Sequence, residues 1–329
     1  MPRMTRRQAV SAAIAHQETG DVPYFINFTW DAMAAVEPHF PGPDLSLAIG
    51  NYVHWIRPPW WDWYDLPASY RDFADPVVLP KIRGRGSYEA FADELVRLRE
   101  ETDCYILVMI YGSHFEKANA ARGIENFLGD LGGNKDFAKR MLDKIIAQNM
   151  AMLENILTFS EIDGVLLGSD WGSQHGLLMS PSMWREFIAP GEQREYELVH
   201  SAGKDVWLHS CGNIEALLED LIEIGVDVLN PVQPECMDIY HLKDTYGDQI
   251  TFWGGISTQQ TLPYGTPDQV VAEVDQVVSY MSRGGGYITS PAQEIQTDVP
   301  VENVIALIER AKAHTQAGAV GKSEAGAQR

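Results

Sequence analysis

Three consecutive residues, His209-Ser210-Cys211, have the types and spacing to do chemistry. At an extended strand end, side chains two residues apart project to the same side, so this imidazole and thiol address one point. Zinc is well served by such a pair, and a third ligand from another loop leaves a position open for substrate. A zinc-bound thiol loses its proton near neutral pH and becomes a nucleophilic thiolate. The other reading of H-x-C is a capping histidine and a small buried cysteine, where a strand passes into the helix beginning near Asn213. A second thiol, Cys236, follows the stiff segment Pro231-Val232-Gln233-Pro234, and either approaches Cys211 or faces solvent. The segment GSDWGSQH contributes Asp170, Gln174 and His175. A carboxylate just past a strand orients an imidazole, ligates metal or serves as general acid or base. It also satisfies backbone N–H groups of a glycine-rich turn. Asp170, His175 and Cys211 are therefore the catalytic candidates, with loop structure as the alternative for the first two.

These residues need elements to bring them together, and the chain supplies a rhythm. Short apolar runs at 102–113, 163–170, 204–211, 226–233, 250–256 and 285–291 alternate with segments of helical period. Pro181 and Pro267 mark helix entries, and Gly203, Gly225 and Gly284 lie just past helix ends. Near-continuous apolar strands joined by crossover helices imply a parallel sheet covered on both faces. VPYFINF (22–28) supplies a seventh strand, and PVVLP (76–80) an eighth or a hairpin strand in an insertion. The expected fold is α/β, a (β/α)8 TIM-type barrel over residues 1–315, with an N-terminal helix, an aromatic-rich insertion and a disordered polar tail at 316–329. No G-x-G-x-x-G or Walker sequence follows any strand, which removes the commonest reason to prefer a nucleotide-binding open sheet. In a barrel, chemistry collects where strands end. Those positions hold Asn27, Trp30, Tyr111, His114, Asn230, Gln233, Trp253, Gln293 and Glu294 beside the residues above. Of these, Asn27, Trp30, Tyr111, Asn230, Gln233, Trp253 and Gln293, with Gln174, are expected to bind substrate.

Residues 52–64, YVHWIRPPWWDWY, carry four of the nine tryptophans, including Trp60. The prolines and spacing predict a loop or short helix whose rings form a lid or pocket wall, suited to a planar or methylated ammonium ligand. Packing on the barrel rim or a homodimer contact is the other reading. With 25 Lys+Arg against 46 Asp+Glu, the net charge is −21. That acid excess argues against nucleic acid and anionic membranes as partners, and against polyanionic substrates. No run of about 18 apolar residues occurs, and the start reads as a capped amphipathic helix, so a cytoplasmic protein is expected. Three cysteines in such a chain should be reduced thiols, with Cys104 in the core.

From HSAGKDVWLHSCGN through NPVQP and WGGI to SPAQEIQTDVP, the chain resembles the uroporphyrinogen decarboxylase superfamily, over roughly residues 4–315. The resemblance implies a (β/α)8 barrel and one of two chemistries: porphyrinogen decarboxylation, or zinc-dependent methyl transfer with corrinoid proteins or thiols. True decarboxylases share an arginine-bearing N-terminal segment that holds the substrate's carboxylates. The equivalent stretch here, PYFINFTWDAMA, has no arginine. Binding an octacarboxylate without it would leave buried charges poorly paired. The methyltransferase branch carries His-x-Cys, matched by His209 and Cys211, and usually a third cysteine after the last strand. Gln293 stands at that position, and glutamine is a poor zinc ligand. Glu294, Cys236 or Asp170 would then complete the site, unless His209 and Cys211 act without metal. The expectation is zinc-thiolate methyl transfer or demethylation of a small methylated compound, with cobalamin on a corrinoid partner protein. A metal-free decarboxylase of a carboxylated substrate and a non-catalytic ligand-binding barrel are the alternatives.

Overall fold

The computed structural model describes residues 4–61, 84–85, 87–110 and 112–324, with the backbone alone at 60, 61, 84, 85 and 316–324. It opens with helix α1 (Arg6–Ile14), held by a capping box in which the Thr5 side chain takes the Gln8 N–H and the Gln8 side chain takes the Thr5 N–H. Seven strands of four or more residues follow among the described residues. They are β1 (Val53–Ile56), β2 (Tyr105–Met109), β3 (Gly164–Gly168), β4 (Asp205–His209), β5 (Val228–Val232), β6 (Thr251–Ile256) and β7 (Tyr287–Pro291). From β2 onward these occupy the six apolar runs the sequence marks. The helices between them give the α/β alternation of a TIM-type fold.

Two compact units share the chain. In the unit formed by Trp55–Thr102 and Ile106–Val226, β2, β3 and β4 pair in parallel, with Leu107 opposite Gly164, Val165 opposite Val206 and Gly168 opposite His209. Val108, Val165, Leu167, Trp207 and Leu208 are buried, as strands covered on both faces must be. In the unit formed by Met1–His54, Asp103–Tyr105 and Asp227–Arg329, β6 pairs in parallel with both β5 and β7, around buried Leu229, Phe252 and Ile288. Cys104 lies here, fully buried, its thiol on the Asn51 carbonyl.

Several local expectations change. Residues 22–28 form no regular strand but two isolated parallel bridges, Tyr24 with Thr289 and Phe28 with Ile295. The tryptophan-rich segment contains strand, not loop or helix: β1, and a short antiparallel pair of Trp60–Trp61 with Gly84–Arg85. Valine, isoleucine and tryptophan favour the pleated conformation, and Pro58 and Pro59 end β1 before it lengthens. PVVLP and the rest of the insertion from 62 to 83 lie outside the described residues. The last helix runs over Val301–Glu324, into the segment read as a disordered tail. Alanine, glutamine and lysine extend a helix already nucleated, because each added residue gains a hydrogen bond without a new nucleation cost. Residues 325–329 are outside the described set.

The unit of β2, β3 and β4 is fastened by a polar cluster that periodicity does not announce. Helices α2 (His114–Arg122), α3 (Lys135–Ile156) and α4 (Ala189–Ser201) bring together Ser113, His114, Lys117, Asn149, Glu192 and Glu195, all buried. The Ser113 hydroxyl donates to Glu192 at 2.7 Å, and Asn149 donates to Glu195 at 2.8 Å while taking a hydrogen from the Lys117 ammonium. His114 Nε2 lies 3.1 Å from the Ile188 carbonyl, so that nitrogen carries the hydrogen. One lysine faces two carboxylates. Burial pushes the Glu192 carboxyl up to about 7, with His114 pulling against it. Burial lowers His114, but Glu192 and Glu195 outweigh that and leave it raised.

Because the Glu192 value is raised in the fold, the native chain keeps a proton that the unfolded chain releases above pH 4.5. Stability should therefore fall as pH rises from 4.5 to about 7. Denaturant midpoints across that window should show this slope in the native chain and a flatter one in Glu192→Gln. Equal slopes would contradict a buried proton at Glu192.

Candidate metal centre

Strands β3 and β4 end side by side, Gly168 opposite His209, so the loops that follow them start in contact. Gly168 has φ +154°, and a Cβ there would meet the His209 carbonyl oxygen at 2.1 Å. Only glycine allows that approach. Past Gly168 the chain runs through Ser169 and Asp170 into a small antiparallel hairpin, Gly172–Ser173 with Gly176–Leu177. Past His209 it turns through Ser210 and Cys211. The two loops are laced together: Trp171 N–H donates to Ser210 Oγ at 3.2 Å, and Asn213 N–H to the Ser173 carbonyl at 2.8 Å. A Cβ on Gly172 would lie 2.7 Å from the Cys211 carbonyl oxygen, so this turn also needs a bare backbone. Buried Trp171 backs the loop, packed edge-on against Trp184 with centroids 5.3 Å apart.

Here Asp170, His209 and Cys211 converge. Their ligand atoms all lie within 4.8 Å of one another. His209 Nε2 is 3.3 Å from Cys211 Sγ and 3.7 Å from Asp170 Oδ1, and Asp170 Oδ1 also accepts the Cys211 N–H at 2.8 Å. Zinc bond lengths of about 2.0–2.3 Å at tetrahedral angles put neighbouring donor atoms about 3.4–3.6 Å apart. The two spacings from His209, 3.3 and 3.7 Å, lie near those values, and an N, S, O donor set suits zinc. Three protein ligands would leave the fourth position to substrate.

The structure thus brings Asp170 beside His209 and Cys211. His175 is elsewhere: it sits exposed at the hairpin tip with Gln174, its N–H on the Ser173 hydroxyl at 3.3 Å. Asn27, Trp30, Asn230, Gln233, Cys236, Trp253, Gln293 and Glu294 belong to the other unit. Asn27 Nδ2 donates to Glu294 Oε1 at 2.6 Å, and Gln293 Oε1 takes the Glu294 N–H at 3.0 Å. Buried Asn230 donates to the Trp253 carbonyl at 3.2 Å, and Trp253 packs edge-on against Phe25. The Gln233 carbonyl takes the N–H groups of Cys236 and Met237, each at 3.0 Å. Cys236 lines a cavity of about 420 Å³ with Glu235, Tyr240 and Glu273. Burial and then Glu235 push its thiol up, which opposes thiolate formation. Trp30 is 85% exposed and so forms no buried wall. Tyr111 and the Trp60 side chain lie outside the described residues.

The sequence reading missed Glu116. Its Oε1 accepts the Asp170 N–H at 3.1 Å, and burial pushes its carboxyl up. The signal was present as Ser113-x-x-Glu116 after a strand, the spacing of a capping box.

Residues 68–314 match the uroporphyrinogen decarboxylase (URO-D) family, and the chain belongs to that family of enzymes. Among curated relatives, the methylcobamide:CoM methyltransferase MtaA of Methanosarcina barkeri is 31% identical over 131 residues, 40% of this chain. That match spans 36% of the length of MtaA. The methylated-thiol–coenzyme M methyltransferase of Methanosarcina mazei is 21% identical over 293 residues, 85% of this chain and 73% of that one. The solved structure of a methyltransferase from Methanosarcina mazei has a TM-score of 0.68 at 20% identity, covering 94% of this chain and 99% of that one. This likeness confirms the α/β fold of TIM type. No helix among the described residues is long and apolar enough to cross a membrane.

Gly172→Ala tests whether the close approach of the two loops sets the site. The added methyl has to displace the Cys211 main chain, costing about 1–3 kcal/mol of stability. It should also weaken zinc retention, read by dialysis against a chelator. Unchanged midpoint and retention would show that the hairpin does not define the centre.

Proposed function

We propose that the chain is a methyltransferase of the URO-D family, acting at Asp170, His209 and Cys211 on a small methylated compound. The observation that carries this reading is the convergence of those three donors at the ends of two adjacent strands, within 4.8 Å of one another. The methyltransferase relatives support it. Asp170, His209 and Cys211 would hold zinc, which, when bound, keeps sulfur in its thiolate form near neutral pH and offers an open position to a substrate thiol or leaving group.

The chain's own groups then have definite tasks. Asp170 fixes the Cys211 main chain through its N–H and sets its carboxylate beside the His209 ring. The lacing of the Trp171 and Ser210 loops keeps that arrangement from spreading when substrate arrives. In the transfer itself, a sulfur lone pair forms the new bond to methyl carbon, and the leaving group departs with the pair of the bond that breaks. A corrinoid protein is the proposed partner on the other side of the exchange, and a cytoplasmic setting fits reduced thiols.

Purified protein should contain stoichiometric zinc, lost in His209→Ala and Cys211→Ser and strongly reduced in Asp170→Asn. Loaded protein should demethylate methylcobalamin in the presence of a thiol, followed by the change in the corrinoid visible spectrum, with at least about a hundredfold loss in Cys211→Ser. Wild-type protein without zinc, or demethylation unaffected by Cys211→Ser, would contradict the proposal.

A further inference from the structure

Helix α2 begins with Ser113 as its N-cap and places Glu116 in its first turn. In a capping box the Ser113 hydroxyl would take the Glu116 N–H, and the Glu116 carboxylate would return to the Ser113 N–H. Here all four groups are turned outward to other elements. Ser113 N–H donates to the Gly168 carbonyl at 2.6 Å, and its hydroxyl is committed to buried Glu192. Glu116 N–H donates to Ser169 Oγ at 3.3 Å, and its carboxylate takes the Asp170 N–H at 3.1 Å. Residues 168, 169 and 170 are each tied to the first turn of α2. The next link is the Asp170 carboxylate on the Cys211 N–H.

We propose that Glu116 is a positioning residue of the centre: it holds the Asp170 main chain, and through it the Asp170 carboxylate against His209 and Cys211. It is not one of the three converging donors, so its effect passes through Asp170. The partly buried setting shields the bond between the Glu116 side chain and the Asp170 N–H from water. Helix α2 is itself anchored by the buried cluster at Ser113, His114 and Lys117, so the loop is referenced to a rigid support rather than to solvent. The consequence for metal rests on the proposed zinc site; the consequence for the loop does not.

The test compares Glu116→Met, which keeps the side chain's length and helix preference but removes its oxygen acceptors, with Glu116→Gln, which keeps an acceptor oxygen. In metal-free protein, amide hydrogen exchange at Asp170 should quicken about tenfold or more in Glu116→Met and stay near wild type in Glu116→Gln. Exchange at Val165 in β3 should be unchanged in both. Zinc affinity, read by competition with a chromophoric chelator, should fall about 10–100-fold in Glu116→Met and recover most of that in Glu116→Gln. Unaltered Asp170 exchange in Glu116→Met would overturn the assignment. So would a rise at Val165 as large as that at Asp170, or a glutamine variant no better than the methionine one. A wild-type chain that takes up no zinc would refute the metal reading, while the exchange at Asp170 would still decide the role of Glu116.

Discussion

The approach of Gly168 to the His209 main chain is the constraint on which the site depends. Parallel pairing sets β3 beside β4, but pairing alone leaves the ends of both strands free to splay. A side chain at Gly168 would sit inside the His209 carbonyl, and its absence lets the two loops leave the sheet in contact. Once they do, short-range hydrogen bonds complete the arrangement: Trp171 on Ser210, Asn213 on Ser173, Cys211 on Asp170. Main-chain geometry sets the three residues side by side, and their rotamers bring the donor atoms within 4.8 Å of one another.

Rigidity in this unit comes from a different source, the buried polar cluster on α2, α3 and α4. Fully buried carboxylates are costly unless they are hydrogen-bonded and charge-balanced. Glu192 and Glu195 meet that condition through Ser113, Asn149, His114 and Lys117. The first turn of α2 is thereby fixed on its inner side by the cluster and on its other side by the loop that carries Asp170.

The parts of the fold legible in the sequence were those governed by one-dimensional patterns. Apolar runs of strand length mark β2 to β7, and the start of the chain reads as the capped helix that α1 is. Residues 22–28 were harder, because their alternation is that of a strand while their pairing is limited to two bridges. The tryptophan-rich stretch misled through its prolines, which end β1 instead of preventing it. At the site, H-x-C spacing pointed to one side of a strand end, and Asp170 followed from its place just past another strand. Which carboxylate joined them was not legible, since that depends on the register of Gly168 with His209 and on a carboxylate captured by a neighbouring N–H. Ser113-x-x-Glu116 shows the limit most clearly: a local capping motif is overridden because each of its groups finds a partner far away in sequence.

Zinc K-edge X-ray absorption of the loaded protein tests most directly the proposed metal–thiolate centre of Asp170, His209 and Cys211. Such a centre gives one sulfur scatterer at about 2.3 Å with nitrogen and oxygen scatterers at about 2.0–2.2 Å, and loses the sulfur shell in Cys211→Ser. A first shell of nitrogen and oxygen alone, or a sulfur shell that survives in Cys211→Ser, would contradict it.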